Sequence, residues 1–206
     1  MVQGGSLAPV RQRGQGAFAV GKRALDTVCA VIGLLLTAPL VVVLAVLIRL
    51  DSPGSALFRQ VRVGYNGQLF TLLKFRSMRV DTPSLSTAEL RVSGLEPYTR
   101  VGKWLRKTSL DELPQLWNVL IGEMSLIGPR PALPSQRELN ATRQAAGIEA
   151  LRPGITGWAQ VNGRDSLTDE EKVAHDIEYL RRQSLLLDLH ILARTVATLF
   201  TARGNH

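Results

Sequence analysis

Residues 28–48 read VCAVIGLLLTAPLVVVLAVLI, a run of 21 residues without a charge, bounded by Asp26 and Arg49. A helix that crosses the hydrocarbon of a bilayer needs about 20 apolar residues, so the run is long enough. The core helix of a soluble protein rarely stays apolar on every face for this length. A cleaved signal peptide fits poorly: the run exceeds an ordinary h-region, and no small-residue cleavage site precedes Arg49-Leu50-Asp51. Pro39 stands near the middle, where its missing N–H and its ring bend a helix. Both flanks are basic, with Arg11, Arg13, Lys22 and Arg23 before the run and Arg49, Arg59 and Arg62 after it. The positive-inside rule places both flanks in the cytoplasm. A helix that enters, breaks at Ala38-Pro39 and returns to the same face meets that demand. A proline-bearing helix that simply spans is the alternative, and on these residues alone the two stand level.

Outward from this segment, the chain of 206 residues is 45% hydrophobic and 20% charged, which excludes wholesale disorder. Its 25 Lys and Arg outnumber 17 Asp and Glu, a net charge of +8 that points to an anionic partner. Cys29 is the single cysteine, so no intrachain disulfide forms. His175, His190 and His206 are scattered and match no zinc pattern.

Residues 1–16 read as a mobile basic tail. Asp51-Ser-Pro-Gly54 is a turn that closes the membrane element. Asn66-Gly67 between two β-prone runs predicts a hairpin with strands at about 57–65 and 68–76. Residues 81–94 are polar and predict a loop that could cover a site. Tyr98 to Lys107 mixes Val101, Trp104 and Leu105 with four basic residues, as suits a helix at a membrane interface or an ordinary solvated one. Residues 109–121 predict one helix whose start has two readings: Ser109 with Glu112 fits a capping box, and Asp111 as N-cap, the preferred reading, puts Pro114 in the first turn. Helices are further expected over 135–149, 168–183 and 185–200.

Asp111-Glu112 is the leading chemical candidate. The first turn of a helix keeps a carboxylate ionised and attracts phosphate. An ionised carboxylate can attack phosphorus to give an acyl phosphate. Adjacent helical residues point about 100° apart, so the two acids take separate tasks, one as nucleophile and the other as metal ligand or base. First-turn acids are also common for the dipole alone. Lys74, Arg76, Arg106, Arg130 and Arg164 each lie beside a turn, a proline or a glycine, as phosphate-recognising residues do. The sequence carries no known nucleic-acid-binding motif, and nucleic acid ranks low as a partner.

The order KFRSM (74–78), LRKTSLDELPQLWNVLIGEMSLIGPRP (105–131) and RPGITGWAQVNGR (152–164), behind a proline-broken apolar segment, resembles bacterial sugar transferases, and more closely the monotopic polyprenyl-phosphate phosphoglycosyl transferases in their minimal catalytic form. The likeness covers about residues 20–200. It implies transfer of sugar-1-phosphate from a UDP-sugar to undecaprenyl phosphate, with release of UMP, through a covalent intermediate and with Mg²⁺. By the motif Asp111 is the nucleophile and Glu112 its partner as metal ligand or base. Arg106 and Arg130 match phosphate and nucleotide residues, and Lys74 and Asp188 match charged family positions. Many members carry Ser-Pro at the membrane break, where this chain has Ala38-Pro39.

The resulting expectation is a mainly helical α+β protein. A mobile tail (1–16) is followed by a re-entrant membrane hairpin (17–52) and a cytoplasmic transferase domain (53–206) with a β-hairpin and interfacial amphipathic helices. It would sit on the bacterial inner membrane and feed downstream glycosyltransferases, with a homodimer left open. A catalytically inactive scaffold of the same fold and a membrane-anchored nucleic-acid binder are the other function classes. The sequence shows no readout of the sugar.

Overall fold

The computed structural model describes residues 15–80, 82, 97–163 and 166–201. The expected tail (but for its last two residues), most of the 81–94 loop and Arg164 lie outside the described residues.

Helix α1 (Gln15–Asp51) contains the whole apolar run. It is the one helix among the described residues long and apolar enough to cross a membrane. The helical backbone runs through Ala38 and Pro39, so the expected break is not an interruption of regular structure. A proline removes one intrahelical hydrogen bond and bends the axis, while the turns on either side keep theirs. The Thr37 hydroxyl donates to the Gly33 carbonyl at 2.7 Å, within the same turn region.

Both ends of α1 are fastened to the rest of the chain. Near its start, Lys22 Nζ lies 2.7 Å from Asp188 Oδ2, Arg23 donates to the carbonyls of Val119 (2.6 Å) and Leu120 (2.8 Å), and Asp26 Oδ1 accepts from the Leu126 amide at 3.1 Å. Near its end, Leu44 and Ile48 are buried with Phe75 and Leu105, and Asp51 Oδ2 accepts from the Val101 amide at 3.1 Å. Between these anchors Leu35 and Leu36 are 71% and 77% exposed, and Ala38 and Pro39 are exposed too.

Strands β1 (Leu57–Val63) and β2 (Leu69–Phe75) form the expected antiparallel hairpin, in register from Leu57↔Phe75 to Val63↔Leu69. The turn holds Asn66 at φ +53° and Gly67 at φ +73°, the paired positive values that a type I′ turn needs. Phe70, Leu72 and, on α1, Ala30 share one buried cluster with Val119 and Met124.

Helix α2 (Arg100–Thr108) starts from Thr99, whose hydroxyl accepts from the Gly102 amide. It ends at Ser109, and α3 (Gln115–Ile121) follows. Strands β3 (Ser125–Ile127) and β4 (Gly154–Thr156) pair in parallel, an element absent from the sequence reading because each run is three residues long. Helix α4 (Arg137–Ala145) and α6 (Asp169–Arg182) pack through Ala132, Leu139, Ile148 and Val173. α6 opens with a capping box between Thr168 and Glu171. The short α5 (Trp158–Asn162) precedes it, and α7 (Leu185–Thr201) closes the described chain.

Helix α7 has two faces. Asp188, Ile191 and Thr195 turn inward, to Lys22 and Tyr179, to a core with Ile127, and to Thr156 respectively. Leu185, Leu189, Leu192 and Val196, spaced four, three and four, form an exposed apolar stripe.

Candidate active site

The segment between α2 and α3 departs from the single helix expected over 109–121. Ser109 takes a left-handed conformation (φ +56°, ψ 17°), and Leu110–Glu112 then makes one 3-10 turn. The N-cap of α3 is Pro114 rather than Asp111. The left-handed residue stops α2 and redirects the chain, so Asp111 sits in a tight turn between two helices instead of on the first turn of one. A non-glycine residue at positive φ is uncommon and persists where the surroundings hold it. Here the Ser109 amide donates to the Arg106 carbonyl (3.2 Å) and the Glu112 amide to the Ser109 carbonyl (3.2 Å).

The turn is seated on the β-hairpin through Asn118 of α3. Its Oδ1 accepts from the Leu73 amide at 3.0 Å and its Nδ2 donates to the Thr71 carbonyl at 2.8 Å, as a neighbouring strand would. This side chain is 1% exposed. The pairing sets α3 beside β2 and so brings Glu112 to Lys74.

Lys74 Nζ lies 2.7 Å from Glu112 Oε1, and Arg130 Nη1 is 3.4 Å from the same oxygen. Asp111 is 6% exposed. Burial pushes its carboxyl above the ordinary carboxylate value of 3.8; Lys74, Arg106 and Arg130 pull it back, and Glu112 adds to the rise. Burial likewise lowers the Lys74 ammonium, opposed chiefly by Glu112. Arg106 extends over the Tyr98 ring at 5.1 Å. Five of the predicted residues, Lys74, Arg106, Asp111, Glu112 and Arg130, thus form one electrostatic group.

Two others are placed elsewhere. Arg76 is buried and donates to the carbonyls of Pro53 (2.7 Å) and Ser52 (2.7 Å) and to the Ser52 hydroxyl (2.9 Å), closing the end of α1. Asp188 is buried between Lys22 and the Tyr179 hydroxyl, which donates to its Oδ1 at 2.7 Å. The buried hydroxyl beside that carboxylate holds its proton far more tightly than an ordinary phenol.

Two residues that the sequence did not single out for the site, Arg62 and Gln115, join the cleft, which Leu72, Lys74, Arg130 and Pro131 also line. Burial first, and then Arg130, lower the Arg62 guanidinium to about 10, with Glu112 opposing. The sequence signal for Arg62 was strand alternation beyond a hairpin; Gln115 gave none, since an amide after Leu113-Pro114 reads as an ordinary helical position.

Among the described residues no three or more of His, Cys, Asp and Glu converge as a metal cage. Mg²⁺ in phosphoryl-transfer sites is held by one or two carboxylates together with substrate phosphates. Asp111 and Glu112, adjacent and set among the cations Lys74, Arg106 and Arg130, fit that donor set.

Residues 17–202 match the family described as "Bacterial sugar transferase". The chain is 44% identical over 188 residues to an undecaprenyl-phosphate glucose phosphotransferase of Komagataeibacter xylinus, covering 85% of this chain and 35% of that protein. It is 45% identical over 189 residues to a UDP-glucose:undecaprenyl-phosphate glucose-1-phosphate transferase of Caulobacter vibrioides, covering 87% of this chain and 70% of that one. A sugar transferase of Bacillus subtilis, EpsL, is 40% identical over 186 residues, 89% of each chain. The chain therefore spans about a third of one relative and most of two others. The Asp111 turn, the cations around it and the match across nearly the whole described chain agree, and this protein belongs to the bacterial sugar transferase family.

Proposed function

We propose that this chain is a polyprenyl-phosphate phosphoglycosyl transferase. It moves sugar-1-phosphate from a UDP-sugar to undecaprenyl phosphate and starts the assembly of a lipid-linked glycan. The observation that carries the reading is Asp111, a buried carboxylate in a strained turn, held among Lys74, Arg106 and Arg130. The names of the Caulobacter and Komagataeibacter relatives support the donor and acceptor classes.

In the first half-reaction an Asp111 carboxylate oxygen attacks the phosphorus that bears the sugar. The phosphoanhydride bond breaks, the bridging oxygen leaves with UMP, and an aspartyl phosphosugar forms. In the second, a phosphate oxygen of the lipid attacks that phosphorus, the acyl–phosphate bond breaks, and the Asp111 carboxylate is restored. Neither step needs a net proton. Burial raises the energy of the Asp111 anion, and Lys74, Arg106 and Arg130 offset part of that rise. Lys74 and Arg130 hold Glu112 in place. Asp111 and Glu112 would hold Mg²⁺, which when bound offsets charge on the diphosphate.

The acceptor lies in the bilayer, and the chain has a matching surface. The exposed middle of α1 would enter the membrane as a re-entrant hairpin bent at Pro39, because both its ends are fastened to one body. The exposed apolar stripe of α7 would rest on the interface beside it. On this reading the protein would sit on the inner membrane with its transferase domain on the cytoplasmic side.

Purified wild-type protein should release UMP from at least one UDP-sugar in the presence of undecaprenyl phosphate. Without lipid, it should gain the mass of one phosphosugar on Asp111. No UMP from any of a panel of UDP-sugars would reject the reading and leave a scaffold or a nucleic-acid binder.

A further inference from the structure

We propose that Gln115 is a further substrate-binding residue, whose side-chain amide donates to a non-bridging oxygen of the donor diphosphate in a subsite shared with Arg62, Lys74 and Arg130. The proposal rests on the transferase reading for the identity of the ligand, and on the cleft itself for its anionic character.

Gln115 is 3% exposed, yet it lines the cleft. Its Nε2 is enclosed and has no hydrogen-bond partner among the described residues. Buried amides are normally satisfied, and one left unmatched beside a cleft is poised for a group that arrives with a ligand. A half-turn of the amide exchanges donor and acceptor, so the charge around it decides which is presented.

That charge favours an anion. Leu72 and Lys74 stand two apart on β2, and Arg62 pairs across the hairpin with Phe70, so all three side chains leave the same face. Arg62, Lys74 and Arg130 therefore bring three cations to one cleft with Gln115 at its wall. Glu112 engages two of them, Lys74 and Arg130. Arg62 spends one amino group on the Pro131 carbonyl (3.1 Å) and its others on Gln60, so it too is fixed in place. Gln115 lines the cleft with Lys74 and Arg130, two of the cations that act on the Asp111 carboxylate. A phosphate oxygen held by its amide would then be near the nucleophile. A neutral donor suits this position, since a fourth cation would draw Asp111 into a closed ion pair.

The test measures inorganic pyrophosphate binding to the full chain in detergent, in Mg²⁺-free buffer, by calorimetry. Gln115→Met keeps the length and removes the amide; Gln115→Glu keeps the shape and adds a negative charge. Pyrophosphate affinity should fall about tenfold in Gln115→Met and further in Gln115→Glu. In turnover, KM for the UDP-sugar should rise more than kcat falls. Thermal stability of Gln115→Met should not drop, because the amide it loses has no partner in the fold. A readout on the unaltered protein guards against a variant that does not fold. With glutamine ¹⁵N-labelled, the Gln115 side-chain NH₂ signal, assigned by its loss in Gln115→Asn, should move on adding pyrophosphate. An unmoved signal, or wild-type pyrophosphate affinity in both variants, overturns the subsite even if UMP is released. Pyrophosphate binding that depends on Gln115 without UMP release from any UDP-sugar upholds the anion subsite and overturns the transferase reading.

Discussion

Lys74 Nζ and Glu112 Oε1 are 2.7 Å apart, although the residues are separated by 38 positions and lie on a strand and a turn. Their side chains are each 17% exposed. The contact is the joint between the β-hairpin and the turn that carries Asp111, and it sets the position of both acids.

This pair should separate stability from activity. Lys74→Met alone leaves Glu112 with a weaker set of cations in a largely buried place. Loss of one member of such a pair costs about 3 kcal/mol when burial is complete, and less here because some solvent reaches it. Glu112→Gln alone should cost a similar amount. The double variant Lys74→Met/Glu112→Gln should recover most of the stability in chemical denaturation, yet stay inactive in UMP release. Recovery of activity in the double variant would show that the pair serves only the fold.

Asp111→Asn should inactivate the enzyme by several orders of magnitude and at the same time raise its melting temperature. The folded-state pKa of Asp111 is raised above 3.8, chiefly by burial. The folded protein therefore binds more protons than the unfolded chain between 3.8 and that raised value, and stability falls as pH rises through this window. Above the window the cost is fully present, and below it the cost vanishes. The variant removes the charge and hence the cost. Melting curves in metal-free buffer should show the gain at neutral pH and its decline toward acid. Equal melting temperatures at neutral pH would contradict the burial argument.

Arg76 should prove structural. Its guanidinium caps the end of α1 through the Ser52 and Pro53 carbonyls. Hydrogen bonds from a charged donor contribute about 1.5–3 kcal/mol each, so Arg76→Ala should lower stability by a few kcal/mol. Arg76→Lys, which loses the fork geometry, should recover only part of it. KM for the UDP-sugar, measured on the folded fraction at low temperature, should stay within about twofold of wild type, the range expected when no ligand contact is lost. A tenfold rise would return Arg76 to the substrate site.

The difference between Arg76 and Lys74 shows what the sequence made legible. Both stand in KFRSM, two residues apart on the way out of β2, and both read as phosphate-binding cations. Only the fold shows that one meets Glu112 and the other the end of α1. The hairpin was legible because Asn66-Gly67 demands positive φ at both positions. Helix α6 was legible from its acidic-then-basic charge order and α7 from its strongly apolar run. Asp111 was found, but its setting was not: the left-handed Ser109 carries no glycine or asparagine to announce it. Gln115 and Arg62 stayed hidden because their significance is one of tertiary proximity. The parallel pairing of β3 with β4 joins residues far apart in sequence through runs too short for any periodicity.

The topology of α1 can be tested directly. Lys22, Arg23 and Asp26 at one end and Ile48 and Asp51 at the other all contact the body that carries Asp111. A straight helix of 37 residues would be about 55 Å long, more than a bilayer core needs. If it spanned, Lys22 and Arg23 would be carried across the membrane, the buried Lys22–Asp188 pair would break, and Asp188 would be left uncompensated. A hairpin bent at Pro39 would keep every one of these contacts, with the exposed Leu35, Leu36 and Pro39 at its tip. The remaining cost is backbone left unpaired near the bend, which the Thr37–Gly33 hydrogen bond and the missing N–H of Pro39 reduce. With Cys29→Ser as background, single cysteines at Val20 and Asn66 should both resist an impermeant maleimide in intact spheroplasts and react after permeabilisation. Reaction at position 20 in intact spheroplasts, with position 66 protected, would establish a span. Pro39→Ala should straighten the helix, weaken the Lys22–Asp188 pair and shift part of the population toward labelling at position 20.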